Sequence, residues 1–560
     1  MKKAFQQLSP VFFWWLLLAF GSCRVKNNAP SQDAISSIEL KKGDIILCGP
    51  PEKEFGTVSF TITCSEKLQN DFNLGVALLH SFEYDEAEKS FARIIEESPG
   101  CVMAYWGVAM SNYHPLWAPP SQAELKKGAA AIAVAQSLHP SVKKESAYID
   151  AIGKYYYDWE KIDHHSRCLL FEKAMEKIYL DYPGDKEAAI FYSLSLDAAA
   201  DPSDKTYAKQ RKAGDILNGL YPGQPTHPGI LHYIIHSYDY PELAELALPA
   251  ARKYATIAPS SAHALHMPSH IFTRLGLWDE CIQSNIVSTA SAKCYAQNLG
   301  IKGHWDEELH GLDYLVYAYL QEGDNTNAKA QCNYLDSIQD VSSANFKVAY
   351  AFAAIPARYV LENKLWKDAA ALQLHGSSFP WEKFPWQKAI FHFTRLLGAV
   401  HTGNMEAANT ELKNLHIIYD TLIIQKDDYK AKQVLTQIKT SMAWISFKKG
   451  NNQEALNLMQ EAVNMEENTE KHPVTPCEVL PARELLADMY MQMNQPVKAL
   501  ACFELDLKYH PKRFNGLYGA AKAAEQSNDA SKAHSYYQQL ITMAHGSTRP
   551  ELEEAKKYME

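Results

Sequence analysis

Six times in this chain a Gly or Asn turn is followed, five positions on, by a small residue, and this spacing restricts the fold more than any other feature. Gly276 precedes Cys281, Gly323 precedes Ala328, Gly403 precedes Ala408, Gly450 precedes Ala455, Asn494 precedes Ala499 and Asn528 precedes Ala533. Five of the six carry a further residue four positions later, at Cys332, Leu412, Met459, Phe503 and Tyr537. A helix that ends in a left-handed residue favours Gly or Asn there. A small side chain early in the next helix lets two backbones approach closely. The pattern predicts helical hairpins stacked in an array, each burying its apolar face on the next.

The first copy is NLGVALLHSFEYDEAEKSFARIIEESPG, with Leu74-Gly75, Ala87, Phe91 and Pro99 at matching offsets. Trp106-Gly107 repeats the Leu-Gly place, and the loop NYHPLWAPPS interrupts the array. With these residues the chain resembles the tetratricopeptide repeat superfamily over 67–140 and 262–550. AYWGVAMSNYHPLW, LHYIIHSYD, ALHMPSHIFTRLG, LDYLVYAYLQEG, EKHPVTP and PKRFNGLYGAAKAAE together resemble a group of bacterial repeat proteins of that type, often exported. The resemblance implies an all-α, right-handed solenoid whose concave face takes a protein or peptide. It implies no activity.

Lys2 and Lys3, the apolar run VFFWWLLLAF and then Gly21-Ser22-Cys23 resemble a bacterial lipoprotein signal, with Cys23 as the lipidated residue. The expected location is the cell envelope, anchored to a membrane by lipid and facing the periplasm or the outside. The expected organisation is a signal at 1–22, a tether with a short extended run at 23–66 and the first repeats at 67–140. Non-repeat helices at 141–226, a histidine-rich core at 227–313 and C-terminal repeats at 314–560 complete it. FGTVSFTITC, β-branched and aromatic, predicts a strand. The net charge is −10 and no long Lys/Arg run is present, which argues against nucleic acid. Ten cysteines include no C-x-x-C pair. Cys48 and Cys64 are a candidate pair for an oxidising compartment. Cys101, Cys281, Cys294, Cys332 and Cys502 are expected as buried free thiols.

Eight of the 21 histidines fall between His227 and Asp313. His232 and His236 are four apart, as are His266 and His270; His263 sits three before His266, and Asp313 three after His310. Residues so spaced share a helix face, and two imidazoles there can grip one metal ion. The best candidate ligands are His232, His236, His266, His270 and His310, with Asp239, Asp313 and Arg274 as assisting groups. Tyr233 stands where an H-E-x-x-H peptidase has its Glu, which argues against that chemistry. An imidazole-rich site without paired inward Glu suits Cu, Zn or Fe and disfavours a carboxylate-bridged di-iron centre. Pro268 inside a helical pattern predicts a kink, or a helix that starts there. His114 and Trp117 are candidates for an aromatic lip over a pocket. His472 and Cys477 read as part of an inter-repeat loop.

Three functions fit these residues. One is an envelope-anchored binding scaffold with a metal pocket in its middle. Another is a metal-dependent oxidoreductase or hydrolase acting through the histidines. The third is a protein-binding adaptor in which the histidines only pack.

Overall fold

The computed structural model describes Met1 and residues 29–49, 55–376 and 378–560. The lipidation expected at Cys23 lies outside the described residues.

The chain is an all-α solenoid of successive antiparallel hairpins of tetratricopeptide type. All six turn residues adopt the left-handed conformation, from φ 56 at Asn494 to φ 85 at Gly450. Their plus-five partners Cys281, Ala328, Ala408, Ala455, Ala499 and Ala533 are all 0% exposed, the close helix crossings the spacing demands. In the first unit Phe91 fills the crossing between the Gln69–His80 and Val102–Ser111 helices. A Cβ at Gly107 would stand 2.4 Å from its ring, so only glycine fits.

The array does not stay open. The C-terminal repeats return to the middle of the chain, where Trp278 Nε1 donates to the Lys512 carbonyl (2.9 Å) and the Phe514 amide to Gln321 Oε1 (3.1 Å). Ser547 Oγ donates to the Gly323 carbonyl at 2.8 Å. The contact at Gln321 is made by the end of the Asp306–Gln321 helix, and that helix carries His310.

Three expectations need correction. The run at 57–62 forms no strand, although its alternation is real: Val58, Phe60 and Ile62 are buried between exposed neighbours. Its amides donate to side chains instead, Phe60 to Asn73 and Ile62 to Gln69 at 3.1 Å each, because helices and no partner strand lie beneath. The only strands among the described residues are His304–Trp305 and Val341–Ser342, paired in parallel. Cys48 and Cys64 do not pair with each other; the disulfides are Cys48–Cys294 and Cys64–Cys101. Cys101 and Cys294 are therefore not free. Cys281, Cys332 and Cys502 are buried free thiols.

Candidate metal centre

Pro228 opens the helix Pro228–Ser237, a first-turn place where its missing N–H costs nothing. His232 and His236 then lie one turn apart on one face, with Nε2 atoms 2.9 Å apart. Ser261 caps the next segment, its Oγ accepting from the Ala264 amide at 3.0 Å. Helix Ala262–His266 runs through Met267 into helix Pro268–Leu275. Pro268 thus starts a new first turn, and the segment serves both sides of the site. His263 turns to the first pair, its Nε2 3.2 Å from that of His232. His266 and His270 form a second pair, Nε2 to Nε2 3.1 Å, joined by His310 with its ring 4.2 Å from that of His266.

Two sets of three histidines result: His232, His236 and His263, and His266, His270 and His310. Within each set one nitrogen per ring lies within 4.8 Å of the others. Rings of His236 and His270 meet edge to face across the sets, 6.4 Å between centroids. His236 alone of the six is not fully buried.

The second ring nitrogens decide the tautomers. His232 Nδ1 lies 2.6 Å from the carbonyl of His80, which can only accept. His266 Nδ1 lies 2.7 Å from Asn285 Oδ1, and the amide is oriented by its Nδ2, which donates to the Cys281 carbonyl. His270 Nδ1 lies 3.0 Å from Asp239 Oδ2. Burial opposes the Asp239 charge, but Lys471, Arg274 and His270 outweigh it and hold the carboxyl well below its usual range. In all three rings, therefore, Nδ1 carries the proton and Nε2 presents a lone pair. Burial first, then the neighbouring imidazoles, keeps His232, His236, His266 and His310 neutral; burial does the same for His270 against the pull of Asp239. His266 and His270 consequently aim two lone pairs at each other across 3.1 Å with no proton between them.

Asp239 falls just beyond its helix, which ends at Ser237, yet still reaches the site. Arg274 donates Nε to Asp239 Oδ1 and Nη2 to its carbonyl, both at 2.8 Å, and Lys471 Nζ approaches Oδ2 at 3.3 Å. Burial lowers the Lys471 ammonium to about 8, with Asp239 resisting. Asp313 does not join. Three residues on a helix leave a rotation of roughly 60°, enough to aim Asp313 at Arg358 Nε (3.5 Å) while His310 faces the cluster. Burial lifts the Asp313 carboxyl to about 6 against the pull of Arg358.

Several groups escaped the sequence reading. His263 supplies the third ring of the first set, a role its three-residue spacing from His266 hid. Phe82, held at φ 58, lays its ring 4.4 Å from His232 and 5.5 Å from both His236 and His263. Such a backbone is rare for a bulky residue and fits a position over-determined by its surroundings. Behind His232, His80 and His227 share Glu187, at 2.9 and 2.8 Å. His472 packs against Phe346 and Trp386, while its neighbour Lys471 belongs to the site. Trp117 does form a lip, its ring 5.1 Å from that of His236, and His114, which meets Glu124 at 3.2 Å, lines a cavity together with it. A cavity of about 340 Å3 opens at His236, walled by Trp117, Asp239, Tyr240, Arg274 and Lys471. Another, of about 620 Å3, reaches His263 and Glu307 from the far side of Trp117.

The neutral histidines set the acid response of the metal-free chain. An unfolded imidazole takes up a proton below about pH 6.5, whereas these five do not, so the unfolded state binds more protons and stability falls as pH falls. Four further imidazoles, His80, His164, His401 and His472, are lowered by burial in the same way. His510, raised by Asp506 and Glu478 against the effect of burial, and the carboxyls that burial raises, Glu83, Asp197, Asp313, Glu322, Glu466 and Glu484, act in the opposite sense; nine imidazoles against seven groups set the sign. The thermal midpoint is expected to drop steadily from about pH 7 to about 5; a flat or rising profile over that window contradicts this reading.

No family model matches the chain, and no curated protein matches it. Among solved structures, a human IFIT1 dimer with PPP-AAAA aligns over 88% of this chain and 98% of its own, at 11% identity and TM-score 0.36. A human IFIT1 dimer with m7Gppp-AAAA covers 86% and 96%, at 10% identity and TM-score 0.31. An IFIT1 monomeric mutant with Gppp-AAAA covers 86% and 98%, at 11% identity and TM-score 0.35. Likeness of this degree carries nothing about the site.

Proposed function

We propose that this protein is a metal-dependent enzyme on a repeat scaffold, holding one first-row transition-metal ion on each set of three histidines. The carrying observation is the pair of lone pairs at His266 and His270, which repel in an apolar core unless a cation sits between them. His232, His266 and His270 are also oriented through Nδ1 by a carbonyl, an amide and a carboxylate oxygen respectively, the usual support of a metal-bound imidazole. Six imidazoles and no carboxylate favour copper, with zinc next.

A bound ion supplies Lewis acidity and, for copper, electron transfer, so the reaction class is activation of water or dioxygen. The cavity at His236 supports a part for the chain's own residues. Trp117 and Tyr240 hold an organic substrate there and exclude water. Arg274 and Lys471 keep Asp239 ionised, and Asp239 keeps His270 in the tautomer that offers Nε2. Cys23 tethers the scaffold to the envelope on this reading, and the scaffold takes a protein or peptide.

Metal analysis tests the proposal. Chain loaded separately with copper and zinc and then dialysed is expected to keep about two ions. Copper retention with oxygen consumption marks an oxidase, and zinc retention with ester or amide cleavage marks a hydrolase. Fewer than about 0.2 ions under every loading condition leaves only packing for the histidines.

A further inference from the structure

A third cavity, of about 240 Å3, adjoins the one at His236 and shares Tyr207, Arg274, Glu470 and Lys471 with it. Its inner wall carries Glu466, Glu478, Asp506 and His510. Asp506 is 1% exposed; its Oδ1 meets His510 Nδ1 at 3.0 Å and its Oδ2 has no hydrogen-bond partner. Glu478 meets the other imidazole nitrogen at 3.2 Å, and Glu466 accepts from the Ala482 amide at 2.7 Å. Two carboxyl groups, Asp506 and Glu478, therefore share one imidazole, and Glu466 lines the same wall.

The cations nearby are committed elsewhere. Lys205 pairs with Glu470, Arg483 with Glu467, and Arg274 and Lys471 with Asp239. A small recess that Glu466 and Glu478 also line contains Gln437, whose buried Oε1 is likewise unpartnered. The wall is thus rich in acceptors and poor in donors. Burial and the adjacent Glu478 push the Glu466 carboxyl up, as expected where a compensating cation is wanted. Trp278, Tyr317 and Tyr509 add aromatic faces. Among the described residues, the sets whose atoms converge tightly enough for a metal ion are the histidine-rich ones, and these carboxylates are not among them. A cation with several N–H donors spread over a few ångströms satisfies such a wall better than a bare ion.

We propose that this cavity is a binding site for an organic cation, an alkylammonium or guanidinium group, held by Glu466, Glu478 and Asp506. The site does not depend on metal at the histidines. Its shared wall places the rest of such a ligand toward His236.

Calorimetric titration of the full chain, metal-free and copper-loaded, with agmatine and with uncharged pentanamide tests this. Agmatine is expected to bind both forms at about one molecule per chain while pentanamide gives no signal. Asp506→Asn and Glu478→Gln are each expected to weaken agmatine at least about tenfold with the thermal midpoint retained; Glu466→Gln, which keeps the Ala482 hydrogen bond, serves if either fails to fold. No binding by the wild-type chain overturns the proposal. So does unchanged affinity in the variants, which puts the ligand elsewhere, or complete displacement of agmatine by calcium ions, which makes it a metal site. Failure of copper to bind the histidines leaves the expected agmatine result unaltered.

Discussion

His270→Ala removes one of the two metal ions and leaves the other. The first set, His232, His236 and His263, keeps all three rings, whereas the second loses the partner of the His266 lone pair. Asp239→Asn, which leaves the ring in place but weakens the charge behind His270 Nδ1, lowers affinity at that set about 10–100-fold. His392→Ala, whose ring meets Glu411 at 2.7 Å far from the cluster, leaves both ions bound. Metal titration read together with thermal unfolding separates this from simple packing. A ligand present at about 1,000 times its Kd stabilises by about 4 kcal/mol, so wild type gains a large metal-dependent increment of which the His270 variant keeps only the first set's share. Were the histidines merely core residues, His270→Ala would cost stability equally with and without metal. Equal metal content in wild type and His270→Ala would sink the two-set assignment.

Arg513→Met costs about 3–5 kcal/mol, the largest loss expected from a residue outside the site. Arg513 is 0% exposed and ties four segments together. Its Nε and Nη2 donate to Glu484 at 2.9 and 3.1 Å, Nη2 also to Glu362 at 2.8 Å, and Nη1 to the Tyr317 hydroxyl at 3.1 Å. Burial already raises Glu484 to about 7 while Arg513 pulls it down. Removing the guanidinium strands two buried carboxyls, which must then take protons or pull water inward. Tyr317 stands on the same helix as His310, so the loss loosens the second histidine set as well. Urea unfolding of the variant checks the size, and metal titration checks the coupling. A destabilisation under about 1 kcal/mol would show that the network breaks even against an apolar side chain.

How legible all this is in the sequence depends on the range of the interactions. Gly276, Gly323 and Asn494 announce helix ends because a left-handed residue is a local demand, and Ala328 or Ala499 announces a crossing because a small side chain five residues on is local too. The pairs His232/His236 and His266/His270 are equally visible, being one turn apart on single helices. Asp239 and Arg274 could be named for the same reason. The partners of those pairs could not. His263 leaves its helical neighbours for the set on another helix, Asp313 turns to Arg358, Lys471 arrives from 232 positions away, and Cys48 finds Cys294 across 246 residues.

From its own residues the chain determined an all-α repeat array and two histidine pairs, since helix periodicity and turn chemistry act within a few residues. Tertiary structure alone decided that the pairs become two sets of three, which lone pairs face each other, and which carboxylate stands behind which ring. Those outcomes depend on how far the repeats curl and on the return of the C-terminal helices onto the middle of the chain. They are set by the sum of many helix contacts, and no short stretch of sequence encodes that sum.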